Sequence, residues 1–101
     1  MIVQPKFSND PSHYYKPIAY QALTVDNTVK SPTIPQGTRM AEVFFRGGRV
    51  RMTKHGEDPT TIFGVPMGDG YENYMSVAEL NLVKFIREGS TDGEVHFFYY
   101  A

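Results

Sequence analysis

The sequence predicts a mainly all-β fold: a single β-sandwich or jelly-roll-like domain with one short helix and an extended N-terminal arm. Three observations carry that prediction. Short runs alternate apolar and polar residues with period two. Turn residues recur every eight to twelve positions, the spacing of sandwiches and barrels. Only one stretch carries helical capping and periodicity. At 101 residues the chain has room for one core.

Residues 1–17 form the arm. Pro5, Pro11 and Pro17 recur at six-residue spacing with Ser8, Asn9, Asp10 and Ser12 between them, and no regular period survives. Each proline removes a donor and disfavours helix in the residue before it. Ile2, Val3, Phe7, Tyr14 and Tyr15 nevertheless give the segment apolar character. It reads either as a terminus without a task or as an arm lying on a neighbouring subunit, with Phe7, Tyr14 and Tyr15 as its contacts. Sixteen extended residues reach roughly 50 Å, enough to cross a protomer of this size.

The domain occupies 18–101. Ile18–Val25 is the first strand, and Ser31–Gly37 falls in a long turn-rich connection. Arg39–Arg46 and Arg49–Lys54 flank Gly47-Gly48, which predicts a hairpin because both glycines accept positive φ. Ala41, Val43 and Phe45 share one face of the first run, and Met40, Glu42, Phe44 and Arg46 the other. Val50 and Met52 give the second run its dry face. His55–Pro59 is a turn, Thr60–Val65 a short strand, Gly68-Asp69-Gly70 a turn and Tyr71–Met75 a strand. Ser76-Val77-Ala78-Glu79 matches a capping box. Leu82, Phe85 and Ile86 follow at helical spacing and Gly89 stands as a C-cap, so a helix is expected over 77–88. Glu94–Tyr100 closes the chain as a strand.

A search for chemistry returns no catalytic set, and the chain is read as non-enzymatic. With no cysteine, disulfides, cysteine-ligated zinc and thiol catalysis are excluded within these residues. His13, His55 and His96 are far apart and lack metal-ligand spacing. Glu57, Asp58, Asp69 and Glu72 sit in turn chemistry and match no calcium loop. No serine lies in a nucleophile-elbow motif. Arginines cluster on the hairpin beside Phe44 and Phe45, but the net charge is -1 and alternation already accounts for them. No cofactor, metal, small-molecule substrate, nucleic acid or membrane is therefore expected. The N-terminus has no apolar run of signal-peptide or spanning length.

The closing strand differs from the others. Val95, Phe97 and Tyr99 point one way and His96, Phe98 and Tyr100 the other, so both faces are bulky. It is either a central strand packed on both sides or a strand whose second face, Phe98 and Tyr100, meets a partner. Met40 and Phe44 add apolar residues to the otherwise polar face of the hairpin. Exposure of Phe98 and Tyr100 decides between the readings.

Ala22-Leu23-Thr24-Val25 and Ile34-Pro35-Gln36-Gly37-Thr38-Arg39-Met40-Ala41-Glu42-Val43 resemble the opening of small virion structural proteins of tailed bacteriophages. Val50-Arg51, His55-Gly56, Asp58-Pro59-Thr60, Gly64, Gly68-Asp69-Gly70, Phe85-Ile86-Arg87-Glu88-Gly89, Thr91-Asp92, Val95-His96 and Tyr99-Tyr100 continue that resemblance. It covers roughly 18–101 and excludes the arm. The chain departs from the pattern at His55-Gly56, where Asp-Gly is common, and at the apolar Phe44-Phe45. The resemblance implies a capsid cement or decoration protein that bridges major capsid protein subunits and meets copies of itself. It places the chain on the capsid surface of a virion after synthesis in the bacterial host cytoplasm. It also leaves open a tail or head-tail connector accessory role. Two readings from other classes stand beside it. One is a carbohydrate- or receptor-binding module using Tyr and Phe as platforms. The other is a cupin-like enzyme, for which Glu94 and His96, two apart on one strand, are the sole hint.

Overall fold

Period-two alternation sets one dry face on each strand, and the dry faces can be buried only by stacking two sheets. The structure, a computed structural model, describes residues 15–101. The readings made for Phe7, Tyr14 and the rest of 1–14 lie outside the described residues.

Among the described residues, seven strands and one helical turn follow in the order β1 (Pro17–Val25), β2 (Met40–Gly47), β3 (Val50–Thr53), β4 (Val65–Met67), β5 (Glu72–Ser76), α1 (Val77–Leu80), β6 (Lys84–Arg87) and β7 (Gly93–Tyr100). They form a four-stranded sheet, β1-β7-β2-β5, and a three-stranded sheet, β4-β3-β6. Every pairing is antiparallel. The all-β class expected from the sequence is what the structure has. Backbone bonds of 2.9 Å in both directions between Lys16 and Ala101 extend the β1–β7 ladder beyond the strand ends.

The core lies between the sheets. Ala41, Val43 and Phe45 from β2 and Val95, Phe97 and Tyr99 from β7 face Val50, Met52 and Phe85. Phe85 meets Phe45 edge-on at 6.0 Å and Phe97 at 6.1 Å, and Phe97 stacks on Tyr99 at 5.7 Å. Each such ring contributes about 1.5–3 kcal/mol by burial, with geometry adding about 0.5–1.5 kcal/mol per pair. The Tyr99 hydroxyl donates to Gln21 Oε1 at 2.8 Å, and the same oxygen accepts from the Thr33 amide at 3.1 Å. One amide thereby ties the long 26–39 connection to both β1 and β7.

Three expectations require correction. Gly47-Gly48 is not a hairpin turn, because β2 pairs with β5 and β7 while β3 pairs with β4 and β6. The pair is a corner at which the chain leaves one sheet for the other. Gly47 sits at φ +78°, and a Cβ on Gly48 would stand 2.2 Å from the Thr91 carbonyl oxygen. Gly93 answers across the corner, where a Cβ would lie 2.5 Å from the Gly48 oxygen and 2.6 Å from Val50.

The helix expected over 77–88 ends at Leu80, with Asn81 as its C-cap, and Gly89 caps nothing. The capping box itself is present: Ser76 Oγ accepts from the Glu79 amide, and Glu79 Oε1 accepts from the Ser76 amide. Beyond it, Val83 and Phe85 are buried and Lys84 is not, a period of two hidden inside helical spacing. Pairing of Phe85 with Met52 and Ile86 with Arg51 takes the segment into the sheet as β6.

The strand expected over Thr60–Val65 begins only at Val65. Thr60 and Phe63 exchange backbone hydrogen bonds in a closed turn before it. Pro66 sits opposite Arg51 in β4, an edge strand, where its missing donor costs no ladder bond.

Two outcomes follow. Gly93→Ala drives a Cβ into fixed backbone and should cost about 1–3 kcal/mol or more in urea denaturation, whereas Gly89→Ala meets nothing within 4 Å. Burial pushes the Tyr99 hydroxyl from 10.0 up to about 12. Its stabilisation is thus complete below pH 10 and is lost as pH rises toward 12, because the unfolded tyrosine ionises first. Denaturation curves across that window should fall more steeply for the native chain than for Tyr99→Phe.

Candidate functional site

Strand alternation that buries Val43, Phe45, Val95 and Phe97 necessarily turns Phe44, Arg46, His96 and Phe98 outward on the first sheet. Tyr20 of β1 sits directly opposite Phe98, and Phe44 of β2 directly opposite His96. Tyr20, Phe44, Arg46, His96 and Phe98 thus converge from three adjacent strands and line an open groove of about 390 Å³. The Tyr20 and Phe98 ring centroids are 4.9 Å apart, and Phe44 meets Phe98 edge-on at 5.9 Å. Phe98 remains 41% exposed and Tyr20 53% exposed, so the rings pack on one another and still present apolar surface.

Polar groups hold this cluster upright. His96 Nε2 lies 3.0 Å from Glu94 Oε1. A carboxylate only accepts, so Nε2 carries the proton; in the neutral ring Nδ1 then accepts from the Tyr20 hydroxyl, with which it is hydrogen-bonded. Glu94, His96 and Tyr20 form one relay, and the Tyr20 ring leans on His96 at 5.8 Å. Arg46 is the register partner of Glu94, whose Oε1 is bonded to His96. Arg46 lines the groove with no ion pair among the described residues, carrying five donors on a planar fork.

The residues singled out from the sequence divide. Phe44 and Phe98 come together in the groove. Met40 and Tyr100 stand opposite each other toward the other end of the same face, where Tyr100 is buried and its hydroxyl donates to Glu42 at 3.0 Å. Tyr15 lies under the Arg39 guanidinium, 5.8 Å from ring centroid to Cζ. The closing strand thus answers its own question in two ways: Phe98 is exposed and Tyr100 is not. Tyr20, Arg46 and His96 were missed. Tyr20 could have been found from the alternation of β1, but the meeting of β1, β7 and β2 could not.

A second apolar feature lies at the β4 edge of the other sheet. The Thr60–Phe63 turn holds Ile62 86% exposed, with Phe63 and Val65 beside it. Phe63 meets His55 edge-on at 6.2 Å, and Lys54, His55, Phe63 and Val65 are among the residues around a hollow of about 320 Å³.

Cations around the second sheet are engaged. Arg49 and Arg51 both reach Glu88 at 3.2 Å, and Lys54 reaches Glu79 at 3.0 Å. Partial burial favours the neutral form of Glu88, but bonds from Arg51 and the charges of Arg51 and Arg49 outweigh it and hold its carboxyl below the usual range. The Ser76 amide, followed by Lys54, does the same for Glu79. Among the described residues no group of three histidine, cysteine or acidic side chains could hold a metal ion. No family model matches the chain, and neither a curated protein nor a solved structure matches it.

The two faces of β7 should respond differently to truncation. Phe97→Ala should cost about 3–5 kcal/mol by emptying the core. Phe98→Ala should cost about 1 kcal/mol or less, since its ring is already partly in water. Paired urea titrations check both.

Proposed function

We propose that this chain is a non-enzymatic structural protein of a phage virion, a capsid cement or decoration protein. In this reading it binds the shell through the outer aromatic face of its four-stranded sheet. The observation that carries it is the groove of Tyr20, Phe44 and Phe98, apolar rings kept in water by a fold that has already filled its core. Exposed aromatic clusters rimmed by polar groups mark interfaces, and Arg beside aromatic rings is the composition enriched at their centres. A shell under internal pressure gains from small clamps that bury apolar area across subunit seams, and many copies in fixed geometry act together. The sequence resemblance over 18–101 points to the same class, with major capsid protein as partner and the virion surface as location.

A carbohydrate-binding module is the second reading. The groove favours it in one respect, since Arg46 and His96 place polar groups beside two exposed rings. Binding of the intact chain on a glycan array would support that reading and displace the first.

For the cement reading, the intact chain should sediment with assembled shells of the major capsid protein of the same phage. Phe98→Asp should weaken that binding about tenfold or more, equivalent to about 1.4 kcal/mol or above, while leaving the far-ultraviolet spectrum unchanged. Equal binding by the variant would sink the aromatic face as the docking surface.

A further inference from the structure

Two apolar features of this molecule belong to different sheets, and they are opposite in shape. The groove on the first sheet is concave and aromatic, lined by Tyr20, Phe44 and Phe98. The turn at the β4 edge is convex and aliphatic, with Ile62 at its tip, 86% exposed. Reciprocal backbone bonds between Thr60 and Phe63 and a bond from the Ile62 amide to Thr60 Oγ1 hold that tip in shape. A preformed turn loses little conformational freedom when it is bound.

Charge follows shape. Arg46 lines the groove and makes no ion pair among the described residues. Glu57 and Asp58 precede the turn with Pro59 between, and their side chains are 66% and 65% exposed. Each uses one carboxylate oxygen internally, Glu57 Oε1 toward His55 and Asp58 Oδ1 toward Lys84, so the second oxygen of each faces outward unclaimed. An acidic pair beside an apolar tip complements a cation beside an apolar hollow.

We propose that the chain associates head to tail, with the Ile62 turn of one copy seated in the aromatic groove of the next and Glu57 or Asp58 meeting Arg46. The groove opens on the side of the first sheet turned away from the second, so a copy cannot fill its own groove. The contact is heterologous: each copy uses both surfaces, and a chain of copies closes into a ring or continues as a filament according to the rotation per step. This goes beyond the reading above: it shares with it only the aromatic face as an interface and gives that face a second copy of the chain as occupant, so one groove serves one partner at a time.

Sedimentation of the intact chain over a range of concentrations tests it. The native protein should show a mass rising above the 11.5 kDa of one chain. Ile62→Asp keeps the groove and loses the tip; Phe98→Asp keeps the tip and loses the groove. Each alone should stay at the monomer mass. Mixed in equal amounts, they should form a species of two chains and no larger, because one intact contact remains and neither partner can propagate it. Arg46→Gln, at an exposed position of β2, should raise the dissociation constant about tenfold. Thermal melts confirm that each variant folds.

Three results overturn the proposal: a native chain that is monomeric throughout, a mixture that stays monomeric, or loss of association in Phe98→Asp but not in Ile62→Asp. The last would mean that groove meets groove. A monomeric native chain that still binds shells through Phe98 leaves the cement reading standing and removes only this one. Failure of Phe98→Asp to affect either shell binding or association removes both.

Discussion

The packing of Phe85 against Phe45 and Phe97 is the contact on which the rest of the molecule depends. Phe85 comes from the three-stranded sheet and the other two from the central strands of the four-stranded sheet. Neither sheet could hold a dry face alone. The two central strands supply six of the buried side chains, Ala41, Val43, Phe45, Val95, Phe97 and Tyr99, and everything outside them is positioned by their register. Because residues on a strand alternate strictly, fixing Phe97 inward fixes His96 and Phe98 outward. The candidate surface is therefore a by-product of the core: its residues occupy the places the core leaves over.

That origin explains its electrostatics. On the second sheet, cations and anions find each other, as Glu88 does with Arg49 and Arg51 and Glu79 with Lys54. On the outer face of the first sheet, Glu94 has a choice between a cross-strand arginine and the histidine two residues along its own strand, and the histidine takes it. That contact holds His96 and, through it, the Tyr20 ring, while Arg46 beside them makes no ion pair among the described residues.

Alternation in the sequence made the inner faces of β2, β3 and β7 legible, and with them the all-β class. It also made Phe44 visible as an apolar residue on a polar face. What it did not contain was which strand lies next to which. Gly47-Gly48 has the composition of a two-residue hairpin, and only the close approach of Thr91 and Gly93 backbone shows that glycine is needed there for proximity and not for reversal. Leu82, Phe85 and Ile86 satisfy a helical period while Val83 and Phe85 satisfy a strand period, and the core chose the second because Phe85 is needed between the sheets. The groove was illegible for the same reason. Tyr20 and Phe98 are remote in sequence, and Arg46 reads as an ordinary strand arginine until its place beside them is known.

The mutual bonds between Lys16 and Ala101 place the two ends of the described chain side by side at one end of the β1–β7 ladder. This has a mechanical meaning. A pull applied between those two points runs across the strands, so the ladder would open one rung at a time, like a zip. A pull that enters at Lys16 and leaves through the body of the sheet runs along β1 instead, and loads its rungs together. The same domain is thus weak or strong according to where its neighbours grip it.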